Sequence, residues 1–416
     1  MATGPGGKSI AFALSGGGHR ATLFTLGALM YAVDAGRGRD TTSIASVSGG
    51  SITNGCVAQA VDFRDVGREA FERAVAGPLA ARVAREGTLF AAWQTWAYLA
   101  ALLLGFAGAV VVPWMLALPL PLRIVALVLL LAAWGWLLGQ RGNICALAFR
   151  KTLFSPGGRA SLLTVAARSL THVFCATELR TAASVYFAGD FVYAFAFGPG
   201  RPGKLPLYRA VQASAAFPGG FPPSRLLFAE HEFAGPPGSP EVPRAVSQLI
   251  LTDGGVYDNM GLEPVWKRHD FVFCSDAGAP FSIESDPSGD IIGRLKRSSD
   301  IIDRQSRALR RRMLIDAFDR KDYRGAFWGI ATDIEDYPLT PKAAGYTGTT
   351  LTALSNIRTD LDVFQPGEQL VLMNHGWLLA SAALRAYCPE WPDRPSNAPD
   401  ASLLDNRAAL AALKRK

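Results

Sequence analysis

The chain has 416 residues, of which 49% are hydrophobic and only 19% charged, with a formal net charge of +7. Soluble globular chains carry about 25% charged residues, so this composition excludes a disordered polyelectrolyte and points to contact with lipid. The positive balance suits an anionic partner, either a membrane leaflet or nucleic acid.

In chain order, Ser9–Ser15 alternates like a β-strand, breaks at Gly16-Gly17-Gly18 and leads into a helix over roughly His19–Asp34. The first apolar run, Ile10 to Leu14, is too short for a signal-peptide core. Ser43–Val47 is a second short strand, followed from Gly49 by a helix through Ile52, Cys56 and Val57. Strand, glycine turn and helix thus occur twice within sixty residues, which predicts a parallel α/β sheet.

From Gly87 to Gln140 the only charged residue is Arg123. Trp93–Val112 is long enough to span a hydrocarbon core of roughly 30 Å, and Pro113, Pro119 and Pro121 then interrupt it before a second apolar helix from about Leu122 to Gly139. Trp93, Trp96, Trp114, Trp134 and Trp136 lie near the helix ends, where an aromatic belt is expected. If residues 1–86 and 141–386 build one discontinuous catalytic domain, the 87–140 insertion crosses a bilayer twice or not at all. Arg82, Arg85, Arg141, Arg150 and Lys151 flank it, so the globular part is expected on the cytoplasmic side of the cell (inner) membrane. An interfacial hairpin and a buried hairpin in a soluble core are the competing readings.

Beyond the hairpin, His172–Ala176, Val185–Phe197, Leu249–Leu251, Phe271–Cys274 and Ala326–Ile330 read as strands. Leu207–Ala216 is a helix stopped by Pro218, and helices near Thr350–Leu361 and Glu368–Ala386 close the fold. Pro/Gly loops fall at Gly198–Pro206 and Gly235–Pro243, and residues 387–416 form a tail with a Pro-rich connector and a frayed helix. Ile291–Phe318 is a long amphipathic helix. Its span Arg294–Arg312 has eight basic residues against Asp300 and Asp303, with Ile301, Ile302, Leu309 and Met313 as an apolar stripe. It is either a solvated face or a surface for anionic headgroups; the run has no interleaved aromatics, so nucleic acid is not expected.

Three elements carry chemistry. Ser48 stands in Ser46-Val47-Ser48-Gly49-Gly50 between a strand and a helix, a turn that projects a hydroxyl at the helix N-terminus. The usual elbow has glycine where this chain has Ser46. Ser15-Gly16-Gly17-Gly18-His19-Arg20 can converge backbone amides on an anion, and Arg20 adds a fixed charge for anion binding or structural support. The loop is an oxyanion hole or a phosphate cradle; without a following Lys-Ser/Thr it is not a nucleotide P-loop. Asp253-Gly254-Gly255 ends a strand, and Asp253 can act as general base toward Ser48. Asp258 reads as a cap. The five cysteines, Cys56, Cys145, Cys175, Cys274 and Cys388, lack CxxC spacing and read as buried thiols; no metal or cofactor motif is present.

In this order the three elements resemble the patatin-like phospholipase family. Cys175-Ala176-Thr177-Glu178-Leu179 and the block Ala213-Ser214-Ala215-Ala216-Phe217-Pro218-Gly219-Gly220-Phe221-Pro222-Pro223 extend the resemblance, and His375-Gly376-Trp377 is similar to a C-terminal helix of bacterial members. It implies an α/β fold, a patatin-like parallel-sheet hydrolase core with helices on both faces, into which the hydrophobic helical hairpin is inserted. It also implies a Ser48–Asp253 dyad without histidine, an oxyanion hole from Gly16, Gly17 and Gly18 with Gly49, and hydrolysis of acyl esters of membrane phospholipid or other lipids. An acyltransferase or thioesterase using the same site, or a non-catalytic membrane scaffold, are the alternatives. A histidine triad would have to draw on His19, His172, His231, His269 or His375.

Overall fold

The computed structural model describes residues 9–85, 87–154, 163, 169–218, 220–227, 231–235, 248–280, 283–390 and 397–414. Gly219, residues 236–243 of the second Pro/Gly loop and the Arg85 side chain lie outside the described set.

The chain begins β1 (Ile10–Leu14), α1 (Gly18–Asp34), β2 (Thr41–Ser46) and α2 (Ser48–Ala60). Short helices α3 (Arg68–Phe71) and α4 (Gly77–Arg85) lead to the hairpin helices α5 (Trp93–Met115) and α6 (Leu120–Gly139), and α7 (Arg141–Thr152) returns to the domain. Next come β3 (Thr171–Glu178), β4 (Ala183–Phe187), β5 (Val192–Ala194), β6 (Gly198–Gly200), α8 (Leu207–Ser214), β7 (Ser224–Leu227), β8 (Gln248–Asp253) and α9 (Gly255–Asp258). The last part is β9 (Phe271–Asp276), α10 (Ile291–Asp319), β10 (Arg324–Gly329), α11 (Gly348–Ser355), α12 (Pro366–Tyr387) and α13 (Asn406–Lys414).

Among the described residues ten strands join one sheet, in the order β10-β9-β1-β2-β3-β4-β5-β6, with β8 on β3 and β7 on β8. The centre, β10 through β3, is parallel, and the remaining pairings are antiparallel. Alternation along β1 sets the two faces. Ile10, Phe12 and Leu14 enter the large core with α1, α2 and α12, while Ala11 and Ala13 enter a smaller one with Met260, Leu262 and Leu314 of α10.

Three expectations change. Val185–Phe197 is two strands, because Ala188 N–H bonds Phe191 O (2.8 Å) and the chain turns at Gly189-Asp190. The helix near Thr350 stops at Ser355, because carbonyls of the following segment are claimed from outside: Arg20 Nη1 bonds Ile357 O (2.6 Å) and His19 N–H bonds Asp360 O (2.9 Å). The C-terminal helix does not fray. Tyr346 OH donates to Leu403 O (2.7 Å), Thr350 Oγ1 donates to Asn406 O (2.9 Å), and Ala409 is buried.

The insertion is an antiparallel helix pair. Tyr98 OH bonds Leu137 O (3.0 Å) and Trp134 Nε1 bonds Leu102 O (2.9 Å), and Phe106 packs on Trp134 at 5.3 Å between ring centroids. Pro113 lies inside the last turn of α5, which continues to Met115, rather than ending it. Both helices are long and apolar enough to cross a membrane, and among the described residues no side chain of α6 is buried. Arg123 at the far turn bonds Leu118 O (2.8 Å).

Candidate active site

Sheet topology brings Ser48 and Asp253 together. β2 and β8 use the same edge of β3 in tandem: β2 pairs parallel as far as Ser46↔Phe174, and β8 pairs antiparallel, ending at Ala176↔Asp253. The C-terminal ends of β2 and β8 therefore face each other across about 7 Å, two residues of β3. The 175–179 block supplies that shared edge, and Thr177 Oγ1 donates to Asp253 O (2.9 Å). The 213–217 block supplies the other wall, since Asp253 N–H bonds Ala216 O (3.0 Å) and Gly254 N–H bonds Ser214 O (3.2 Å). The carboxylate is thus delivered by a backbone pinned on two sides.

Ser48 opens α2 with φ of +49°, a left-handed conformation that costs a residue bearing a Cβ roughly 1–3 kcal/mol. Its N–H donates to Ser214 Oγ (3.1 Å), and its hydroxyl lies close enough to the Asp253 carboxyl to lower that group's pKa. Burial pushes that carboxyl up to about 7, while the Gly255 amide (2.8 Å) and the Ser48 hydroxyl pull it down and the Asp303 charge raises it further. Burial thus holds a carboxylate at a pKa suited to general-base work near neutral pH.

Ser46 is explained by what lies beneath the elbow. Its buried hydroxyl donates to Val173 O (3.0 Å) and accepts from Ser51 Oγ (3.0 Å) and Asn54 Nδ2 (2.9 Å). Ser51 also meets Ser214 Oγ (2.8 Å), and Asn54 Oδ1 meets His172 Nδ1 (2.6 Å). Glycine at 46 would leave two of these donors without that acceptor. Ser51, Asn54 and Ser214 went unrecognised as site residues, because polar partners from separate elements leave no periodic signature.

The glycine loop lies against the elbow. A Cβ on Gly49 would come within 2.0 Å of Gly18 O, so only glycine lets the two backbones touch. Gly16 N–H is already bonded to Asn259 O (2.9 Å), and a Cβ there would meet Asn259 Oδ1 at 2.3 Å. Gly16 is therefore a packing residue rather than an oxyanion donor. Among the described residues no acceptor faces the amides of Gly17, Gly18 or Gly49. Asn259, which orders the loop, was not singled out; its nearest signal was the adjoining Asp258, whose carboxylate caps the amides of Met260, Leu262 and Glu263 at 2.7–3.0 Å.

Arg20 is held by carbonyls, with no ion pair among the described residues. Its buried guanidinium bonds Ala277 O (2.7 Å), Ile357 O (2.6 Å) and Ser355 O (3.1 Å), so it ties α1 to two loops. His19 turns to Asp362 O and Thr88 Oγ1 (both 2.7 Å), and burial pulls its pKa down to about 4. His375 bonds Ile330 O (2.9 Å) and His269 approaches Val265 O (3.4 Å). His172 faces Asn54, and His231 faces Arg201 O (3.0 Å). Four of the five cysteines are buried and Cys145 is half-buried; none is in a disulfide.

A mixed α/β sheet with a parallel centre, a strained serine after one strand and a buried carboxylate at the end of another define a serine-hydrolase-like class of site. The chain belongs to the patatin-like phospholipase family, whose model matches residues 12–266. Among solved structures it is similar to human GIVD cytosolic phospholipase A2, at 12% identity and a TM-score of 0.48, covering 98% of this chain and 63% of that one. The same enzyme in complex with methyl gamma-linolenyl fluorophosphonate matches at 12% identity and a TM-score of 0.48, covering 98% and 59%. VipD from Legionella pneumophila matches at 13% identity and a TM-score of 0.35, covering 93% and 70%. The chain thus spans 63% of the length of the human enzyme first named. No curated protein matches it by sequence.

Proposed function

We propose that this protein is a membrane-bound serine acyl hydrolase that cleaves fatty-acyl esters of phospholipids or related lipids through a Ser48–Asp253 dyad. The observation that carries the reading is that β2 and β8, in tandem on one edge of β3, bring Ser48 to a buried carboxylate whose pKa is pushed up to about 7, beside three amides without a described acceptor. Asp253 takes the Ser48 proton as Oγ attacks the ester carbonyl, and the amides of Gly17, Gly18 and Gly49 hold the oxyanion. The tetrahedral intermediate collapses to an acyl-serine as Asp253 returns the proton to the leaving alcohol. Water then attacks the acyl-serine with Asp253 again as base, releasing the fatty acid and restoring Ser48. The exposed apolar faces of α5 and α6 support a bilayer location, and the flanking basic residues support a cytoplasmic catalytic domain at the cell (inner) membrane.

Labelling with a fluorophosphonate, which forms a stable adduct with activated serines, tests the proposal. Wild type is expected to label on Ser48 and Ser48→Ala to lose the label. Equal labelling of both, or none on wild type, overturns the reading.

A further inference from the structure

α10 is built unlike the other helices of the catalytic domain. At 29 residues it is about 43 Å long, yet among the described residues only Leu314 and Ala317 of it are buried, both in its last third. Polar clamps hold its middle: Arg310 binds Glu263 (2.6 Å), Asp258 (3.6 Å) and Tyr257 O (3.2 Å), and Arg307 approaches Asp276 (3.8 Å). Tyr257, whose carbonyl Arg310 binds, is four residues beyond Asp253, so the helix passes beside the segment that carries this carboxylate. Upstream of that point Ile292, Leu295 and Ile302 are 80%, 66% and 69% exposed, and Ile291 is exposed beside them. Arg294 and Lys296 are exposed on the same stretch, and Arg297 is paired with Glu284 at 3.0 Å.

We infer that the first part of α10, residues 291–302, is a second membrane-contact element that lies in the headgroup region of an anionic leaflet. The inference rests on the membrane-hydrolase reading above, since it is the hairpin that brings the domain to a bilayer. Charge complementarity selects the occupant. Beyond the Arg297–Glu284 pair, residues 291–302 carry Arg294 and Lys296 against Asp300, alongside four isoleucines and one leucine. A leaflet with anionic lipid offers both an apolar layer and negative charge. A second copy would set the same basic residues against each other, and nucleic acid offers nothing to the isoleucines. Apolar side chains are exposed next to Asp253 as well: Phe217 (62% exposed) follows the residue that binds Asp253 N–H, and Val256 (53%) follows Gly255.

The test uses the full chain in proteoliposomes, with an environment-sensitive fluorophore on Ile292→Cys in a Cys145→Ser background; the other four cysteines are buried. In phosphatidylcholine vesicles containing phosphatidylglycerol the emission is expected to shift blue and to be quenched by brominated acyl chains. In phosphatidylcholine alone the shift should be much smaller. Changing Arg294→Gln and Lys296→Gln together should lower the docked population about 25-fold, from about fivefold per basic residue. A probe that stays in water in both vesicle types, or one whose burial ignores lipid charge, overturns the inference. Burial that follows protein concentration assigns the surface to a second copy and overturns it equally. Ser48 labelling is read on the same samples, so loss of the hydrolase reading (no label) is distinct from loss of docking (no shift).

Discussion

The elbow and the hairpin answer opposite solvent problems in one chain. Around Ser48 almost everything is buried and polar, and hydroxyls, amides and a histidine satisfy one another across four separate elements. The hairpin helices are apolar and exposed, and hydrogen bonds from Tyr98 and Trp134 join them. A buried polar network fixes geometry because each unmatched group is costly. An exposed apolar helix pair would, on the membrane-bound reading proposed above, fix location instead, because water is the wrong solvent for it. The difference teaches that precision in the site comes from within the protein, whereas position comes from something outside it.

The contrast can be broken first at Asp253. Asp253→Asn should lower kcat/KM by about 10²–10⁴-fold on a soluble ester while raising the Tm, because an amide keeps the Gly255 contact without an ionised group that burial disfavours. In wild type kcat/KM should rise with pH through about 7 as the carboxyl ionises. Stability runs the other way. A folded pKa raised from 3.8 to about 7 contributes stability that is full below the unfolded value and lost as pH climbs through about 7, and melts of the variant should lack that slope.

At the hairpin, Leu129 is mid-helix in α6 and 64% exposed. Leu129→Arg should weaken membrane insertion by about 2.5–3.5 kcal/mol, read as the fraction resisting alkaline extraction; an unchanged fraction would count against a lipid-facing α6. The smallest effect is expected at Ser46→Gly, which restores the usual elbow residue. Urea melts should show a loss of about 0.5–1.5 kcal/mol per hydrogen bond removed, because Asn54 Nδ2 keeps Ile44 O (3.0 Å) and Ser51 Oγ keeps Ser214 Oγ (2.8 Å), with Ser48 labelling retained.

Sequence reasoning reached the residues that backbone pattern announces. Ser48 and the glycine loop follow strands and Asp253 ends one, and a strand end followed by glycine is a local signal. The hairpin was legible for the same reason, since twenty apolar residues in a row need no partner to be noticed. What stayed hidden depends on elements far apart in sequence. Ser214 matters only because β8 and α8 meet at the elbow, and Asn259 only because it touches Gly16. The helix end at Ser355 was set by Arg20 and His19, some 335 residues upstream. One miss did have a local sign: Gly189-Asp190 is a two-residue hairpin signal inside an otherwise alternating run.

Thr152 Oγ1 donates to Thr88 O at 3.2 Å, so the chain leaves for the hairpin and returns from it at one place. That closure has a consequence for biosynthesis. The ribosome completes Ser48 before it makes Trp93, and makes β3 and Asp253 only after Gly139. Domains fold as their residues emerge, N-terminal part first, but β2 has no β3 to pair with until the apolar pair has left the ribosome. On the function proposed above, a hairpin delivered during synthesis leaves a nascent chain in which Ser48 still lacks Asp253, so the dyad can be completed only after that delivery.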